Sequence, residues 1–162
     1  MMATSEPQRS VPFAMTSLPD NIRTFLAAHS TLTLSTVNAD GLPQSAPLFF
    51  AADDDGSLLF VSSPKSRHSL NIAANSHAAV TVHNETWDWK EIAGVQMEGE
   101  VHHLPAGPGR ERAWEVYKAK FPFVVEFEDE VSRSEFYRFV PKWVRLIDNS
   151  VQFGYKEEME LK

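Results

Sequence analysis

The sequence predicts a mainly β fold, an antiparallel, Greek-key-like barrel of six to eight strands with helices at its periphery. Three observations carry that prediction. Leu32, Leu34 and Thr36 alternate with Thr31, Thr33 and Ser35, which is the period of a half-buried strand. Turn chemistry separates such stretches, in Asn38-Ala39-Asp40-Gly41 and Asp53-Asp54-Asp55-Gly56, because Asn, Asp and Gly tolerate the positive φ of hairpin loops. Strand candidates also outnumber helical ones, and no repeat or low-complexity stretch interrupts them.

The elements follow in order. Residues 1–16 read as a mobile tail or an arm lying on a partner subunit. Ser17-Leu18-Pro19-Asp20 reads as a helix start capped by Ser17, and Leu18, Ile22, Phe25 and Leu26 form one apolar face for packing on the barrel. Strand runs at 31–36, 46–51 and 58–61 lead into a basic, hydroxyl-rich loop, Ser62-Ser63-Pro64-Lys65-Ser66-Arg67-His68. Leu70, Ala73 and Ala74 then fall at i, i+3 and i+4, so a short helix begins near Ser66 with that hydroxyl as its cap. A strand over 77–83 precedes a connection carrying Trp87 and Trp89, which suits a ligand wall, dimer packing or simple covering of the barrel. Residues 92–104 form the longest strand candidate, in which Gly94 and Gly99 mark bulges or close backbone approach. Beyond the break at 105–109, residues 110–121 set Trp114, Tyr117 and Phe121 on one helical face. Residues 126–130 read as a solvated acidic run. Residues 136–140 and 143–147 read as two closing strands, and 151–162 as a weakly amphipathic tail.

Composition narrows the function. A chain of 162 residues is most simply one domain over its whole length, residues 1–162. Its net charge of −7 argues against nucleic acid, whose phosphates require clustered Lys and Arg. With no cysteine, disulfides, thiolate metal ligands and cysteine nucleophiles are excluded. No apolar run reaches the roughly 20 residues of a membrane span. No signal-peptide core is visible either, so cytoplasmic residence is the expectation. His77 and His83 lie too far apart along one strand to share an ion, and adjacent His102 and His103 face opposite ways. The acids at 53–55 read as a solvated turn. No metal ligand and no catalytic residue is assigned, because the chain lacks a nucleophile elbow, a phosphate-binding P-loop and a dinucleotide fingerprint.

The basic loop is what remains. A helix N-terminus presents unpaired N–H groups and partial positive charge to an anion, and a guanidinium such as that of Arg67 adds a forked donor suited to phosphate oxygens. The same spacing also fits an ordinary capped surface helix with incidental basic residues.

The ordered set of Gly41-Leu42-Pro43, Pro47-Leu48-Phe49-Phe50, Leu59-Phe60-Val61-Ser62, Ser66-Arg67 and Leu70-Asn71-Ile72-Ala73-Ala74-Asn75 resembles the FMN-binding split barrel of the pyridoxamine 5′-phosphate oxidase-like superfamily. The resemblance runs from about Leu18 to Leu146. It implies a homodimer that holds FMN at its interface and moves hydride or electrons to or from a small, unidentified substrate. Ala46, Pro47 and Leu48 would flank the flavin ring. Val61, Ser62, Ser63, Lys65, Ser66, Arg67 and His68 would hold the ribityl chain and phosphate. Gln96, with Trp87 or Trp89, would close the site from the second subunit. Three departures stand out. His68 replaces the lysine of the oxidases, and the spacing from Gln96 to Gly99 is shorter than theirs. Residues 143–155 also lack their Arg-x-His-Asp-Arg segment, so pyridoxine phosphate oxidation itself is not expected. A flavin or haem carrier without catalysis, a haem-degrading barrel (a histidine at 68 is similar to that branch) and a deazaflavin binder are the alternatives.

Overall fold

The computed structural model describes residues 17–162. The tail or arm expected over 1–16 lies outside the described residues. Eight strands form one sheet: β1 (Thr31–Val37), β2 (Pro43–Phe49), β3 (Ala51–Ala52), β4 (Leu58–Ser62), β5 (His77–His83), β6 (Ala93–Leu104), β7 (Glu135–Asp148) and β8 (Lys156–Glu160). All ladders are antiparallel, in the order β2-β1-β5-β6-β7-β4-β3, with β8 added to β7. The sheet curls until β2 lies against β4 with no ladder between them. The result is a half-barrel with a split where those two strands meet.

Alternation fills its interior. Leu32, Leu34 and Thr36 of β1, Val80 and Val82 of β5, and Val95, Met97 and Val101 of β6 point inward and are buried. Phe60 and Phe139 meet them from the other side. Helix α1 (Asp20–Ala27) closes one end with Ile22 and Leu26. Helix α2 (Arg67–Ala74) packs against β1 with Ile72. Strand β4 is buried on both faces, because helix α3 (Pro108–Lys120) and the 3-10 turn at Pro122–Phe127 add a second layer. That layer joins Tyr117, Phe121 and Val124 to Leu59 and Phe136. Double burial explains the unbroken apolar run Leu58-Leu59-Phe60. Tyr117 is pushed up to about 12 by this burial, as desolvation disfavours a phenolate.

Five sequence expectations change. Ser17 is not the cap of α1, since Pro19 holds the N-cap position and no side chain caps the helix. The run 46–51 is not one strand, because the chain leaves β1 after Phe49 and joins β4 from Ala51. The two closing strands are one, β7, which at 14 residues exceeds the 12 of β6. The 151–162 tail contains a strand, β8. Asp53 is not solvated: its side chain is 4% exposed and meets Arg112 at 2.6 Å and Arg138 at 3.4 Å.

The unity of β7 depends on a bulge. Pro141, which has no N–H to donate, lies opposite Gly99, and the register shifts between Glu98 and Gly99. A Cβ on Gly99 would stand 2.1 Å from the Val140 carbonyl oxygen, so the glycine is required for close approach. Gly99→Ala is therefore expected to destabilise the fold by about 1–3 kcal/mol, measured as a lowered urea midpoint. An unchanged midpoint would mean that the bulge yields freely.

Candidate functional site

The end of β4 runs into the basic loop, and the structure makes that loop a compact knot of hydroxyls. Ser66 holds the N-cap position of α2 in extended backbone, and its Oγ accepts the Ser69 N–H at 3.3 Å. The same Oγ donates to the Ser63 carbonyl at 2.9 Å and lies 2.8 Å from Ser69 Oγ and 3.2 Å from Ser62 Oγ. Ser63 Oγ accepts the Lys65 N–H at 3.2 Å. Ser66→Ala should cost about 1 kcal/mol through the lost cap, seen as a melting temperature lowered by about 2–4 °C. No change would show that the hydroxyl is dispensable.

His68 is the buried member of the loop. Its Nε2 lies 2.6 Å from Ser62 Oγ, and burial holds the imidazole below its usual value, because desolvation disfavours the charged form. The ring therefore serves as a neutral partner of Ser62 and supplies none of the positive charge that a lysine would bring. That charge comes from Lys65 and Arg67. Both side chains are exposed, and neither makes an ion pair among the described residues. The backbone N–H groups of Arg67 and His68 likewise find no acceptor among the described residues. An oxyanion at the start of α2 would meet two free donors, a helix terminus and two cations.

Asn71 fixes where this terminus points. Its Nδ2 donates to Thr36 Oγ1 at 3.0 Å and to Asn38 Oδ1 at 2.9 Å, tying α2 to the end of β1 and the turn before β2. Sequence reasoning assigned Asn71 no role, because both partners lie more than 30 positions away and leave no local signal. The remaining expected residues divide into two groups. Ala46 and Leu48 on β2 are half-buried and Pro47 is exposed, and Val61 and Ser62 end β4 across the split. Gln96 is separate, on the outer face of β6, where its Oε1 accepts from Arg145 at 3.4 Å. Trp87 is fully exposed. Trp89, 55% exposed, packs edge-on against Phe153 with ring centroids 5.4 Å apart.

One half-buried cation draws notice. Lys120 lies over the Phe50 ring at 4.0 Å and donates to the His29 carbonyl at 2.6 Å. Burial draws it down to about 8. Its donors are turned to carbonyls at the end of α1, so it joins α3 to α1.

The model of the pyridoxamine 5′-phosphate oxidase family matches residues 18–148. The chain belongs to that family. Among curated members of the pyridoxamine 5′-phosphate oxidase family, the pyridoxine/pyridoxamine 5′-phosphate oxidase of Burkholderia vietnamiensis is 34% identical over 73 residues. That match covers 44% of this chain and 32% of the relative, so the chain spans about a third of that relative's length. Solved structures share the fold. The haem binding protein of Mycobacterium smegmatis is 17% identical, with a TM-score of 0.72 over 85% of this chain and 55% of its own. An FAD-binding protein of Mesorhizobium loti is 23% identical, with a TM-score of 0.60 over 76% of this chain and 87% of its own. Among the described residues no helix is long and apolar enough to cross a membrane.

Proposed function

We propose that this chain binds FMN along the split between β2 and β4 and acts as a flavin-dependent oxidoreductase on a small substrate. The observation that carries the reading is the start of α2. Among the described residues, two N–H donors without acceptors and two cations outside any ion pair lie there, in a chain of net charge −7, which suits the terminal phosphate of a mononucleotide. When bound, FMN supplies hydride or electron transfer. The chain's own residues bind and orient. Arg67 and Lys65 neutralise the phosphate, Ser62 and Ser66 supply hydroxyls, His68 holds Ser62 in place, and Ala46, Pro47 and Leu48 flank the ring.

Homodimerisation belongs to the same proposal. The outer face of β1, β2 and β5 exposes Val37, Ser45, Pro47, Phe49 and Ala79, small and apolar groups suited to a flat contact. A partner there would bring Gln96, Trp87 or Trp89 towards the flavin. The haem alternative draws on likeness of fold. Against it, His68, the histidine nearest the cradle, is buried and already bonded to Ser62.

The test is direct. Purified protein reconstituted with FMN should show the perturbed visible absorption of a bound flavin, and anaerobic NADH or NADPH should bleach it. Flavin that binds and stays oxidised with both donors would favour a carrier. A Soret band after haem addition, with no flavin uptake, would overturn the reading.

A further inference from the structure

The barrel end beneath α2 holds a cleft that the flavin reading leaves unused. Ile72 and Ala73 of α2 face Val101 and His103 of β6 and Glu135 and Tyr137 of β7 across a space of about 560 Å³, a size suited to a small organic ligand. His103 and Tyr137 stand directly opposite each other in the β6–β7 ladder. Val101, two residues before His103, points into the barrel, so both side chains share the inner face. The cleft therefore lies away from the outer face of β1, β2 and β5, and it shares no strand with the split between β2 and β4.

Tyr137 is 5% exposed and stacks on Phe60 with ring centroids 5.3 Å apart. A tyrosine hydroxyl buried this deeply normally has a partner. This one has none among the described residues and opens to the cleft. His103 is held in one orientation. Its Nε2 lies 2.8 Å from Glu135 Oε2, which also accepts from Arg110 at 2.6 Å. The His103 hydrogen bond, and after it Arg110, holds that carboxyl below the usual range against the opposing effect of burial. An ionised carboxylate only accepts, so Nε2 carries the proton and Nδ1 of the neutral ring keeps its lone pair. The cleft thus sets a donor, the Tyr137 hydroxyl, beside an acceptor, His103 Nδ1, on rings whose centroids are 5.7 Å apart. Of the other polar groups there, Ser69 Oγ is engaged by Ser66 at 2.8 Å, and His102 Nε2 lies 3.6 Å from Glu100.

We propose that this cleft is a second ligand site and that it takes an uncharged cyclic amide, whose carbonyl accepts from Tyr137 and whose N–H donates to His103 Nδ1. Charge decides against ions. Glu135 repels an anion, and Arg110 already neutralises that carboxylate, so nothing is left to hold a cation. An amide presents an acceptor and a donor side by side, which matches the pair on the cleft wall. Ile72, Ala73 and Val101 supply apolar surface for the ring that carries it.

The probe is carbostyril, a bicyclic aromatic lactam, titrated into the full chain at mildly alkaline pH and read by saturation-transfer NMR. Saturable binding to one site per chain is expected. Tyr137→Phe keeps the ring on Phe60, so circular dichroism should match the parent while binding weakens about tenfold. His103→Leu should weaken it similarly. The N-methyl derivative of the probe, which lacks the N–H, should bind the parent about tenfold more weakly but lose little further against His103→Leu. Excess FMN should leave the carbostyril signal in place, whether or not FMN itself binds. Absence of binding to the parent would overturn the assignment, as would parent-like affinity in both variants. Displacement by FMN would also overturn it, since it would put the probe in the flavin split.

Discussion

Arg67→Ala is expected to weaken FMN binding about ten- to a hundredfold, corresponding to roughly 1.5–3 kcal/mol. The guanidinium is exposed, has no carboxylate partner among the described residues, and leads the helix whose first N–H groups are free. Its removal therefore takes one charged donor from the phosphate and leaves no carboxylate uncompensated. The fold should be unaffected, which separates a binding defect from a folding one. Quenching of flavin fluorescence on titration gives the affinity, and circular dichroism checks the fold. Parent-like affinity in the variant would place the phosphate elsewhere.

Asp53→Ala should destabilise the protein by roughly 1.5–3 kcal/mol through loss of hydrogen bonds to a charged, buried carboxylate, although Arg112 keeps Asp54 at 3.3 Å and Arg138 keeps Asp55 at 3.1 Å. Asp53 accepts from Arg112 at 2.6 Å, from Arg138 at 3.4 Å and from the Asp54 N–H at 2.8 Å. Burial alone would raise its pKa. The Arg112 hydrogen bond, the Asp54 N–H and the charges of Arg112 and Arg138 together outweigh that and hold the carboxyl below the usual range. A depressed carboxyl contributes stability that is fully present above the unfolded value of about 4 and is lost as pH falls through the folded value. Urea melts across the acid range should therefore show the parent losing stability more steeply than Asp53→Ala. Parallel curves would mean that the network contributes nothing through Asp53.

What the sequence revealed and what it concealed follow from how far apart the interacting residues lie. The hydroxyl-rich, basic loop was legible because Ser62, Ser66, Arg67 and His68 are near neighbours on one strand end and one helix start. Alternation likewise disclosed the inward face of β1, where Leu32, Leu34 and Thr36 are buried. Asp53 looked like turn chemistry, because Arg112 and Arg138 lie 59 and 85 positions away. Strand β8 left little pattern: it reads Lys-Glu-Glu-Met-Glu, and only Met159 is buried. An edge strand can hold its place through backbone ladders and charge pairs, here Arg145 with Glu158. Pro141 looked like a break, and only the facing Gly99 shows that β7 passes through it as a bulge. Asn71 was hidden for the same reason, since its side chain joins α2 to Thr36 and Asn38.

A flavin phosphate at the start of α2 is read out by comparing FMN with riboflavin, because the two ligands differ only in that group. Titrated side by side, FMN should bind at least tenfold more tightly than riboflavin, with most of that preference abolished by Arg67→Ala. Equal affinity for the two ligands in the parent protein would contradict the account.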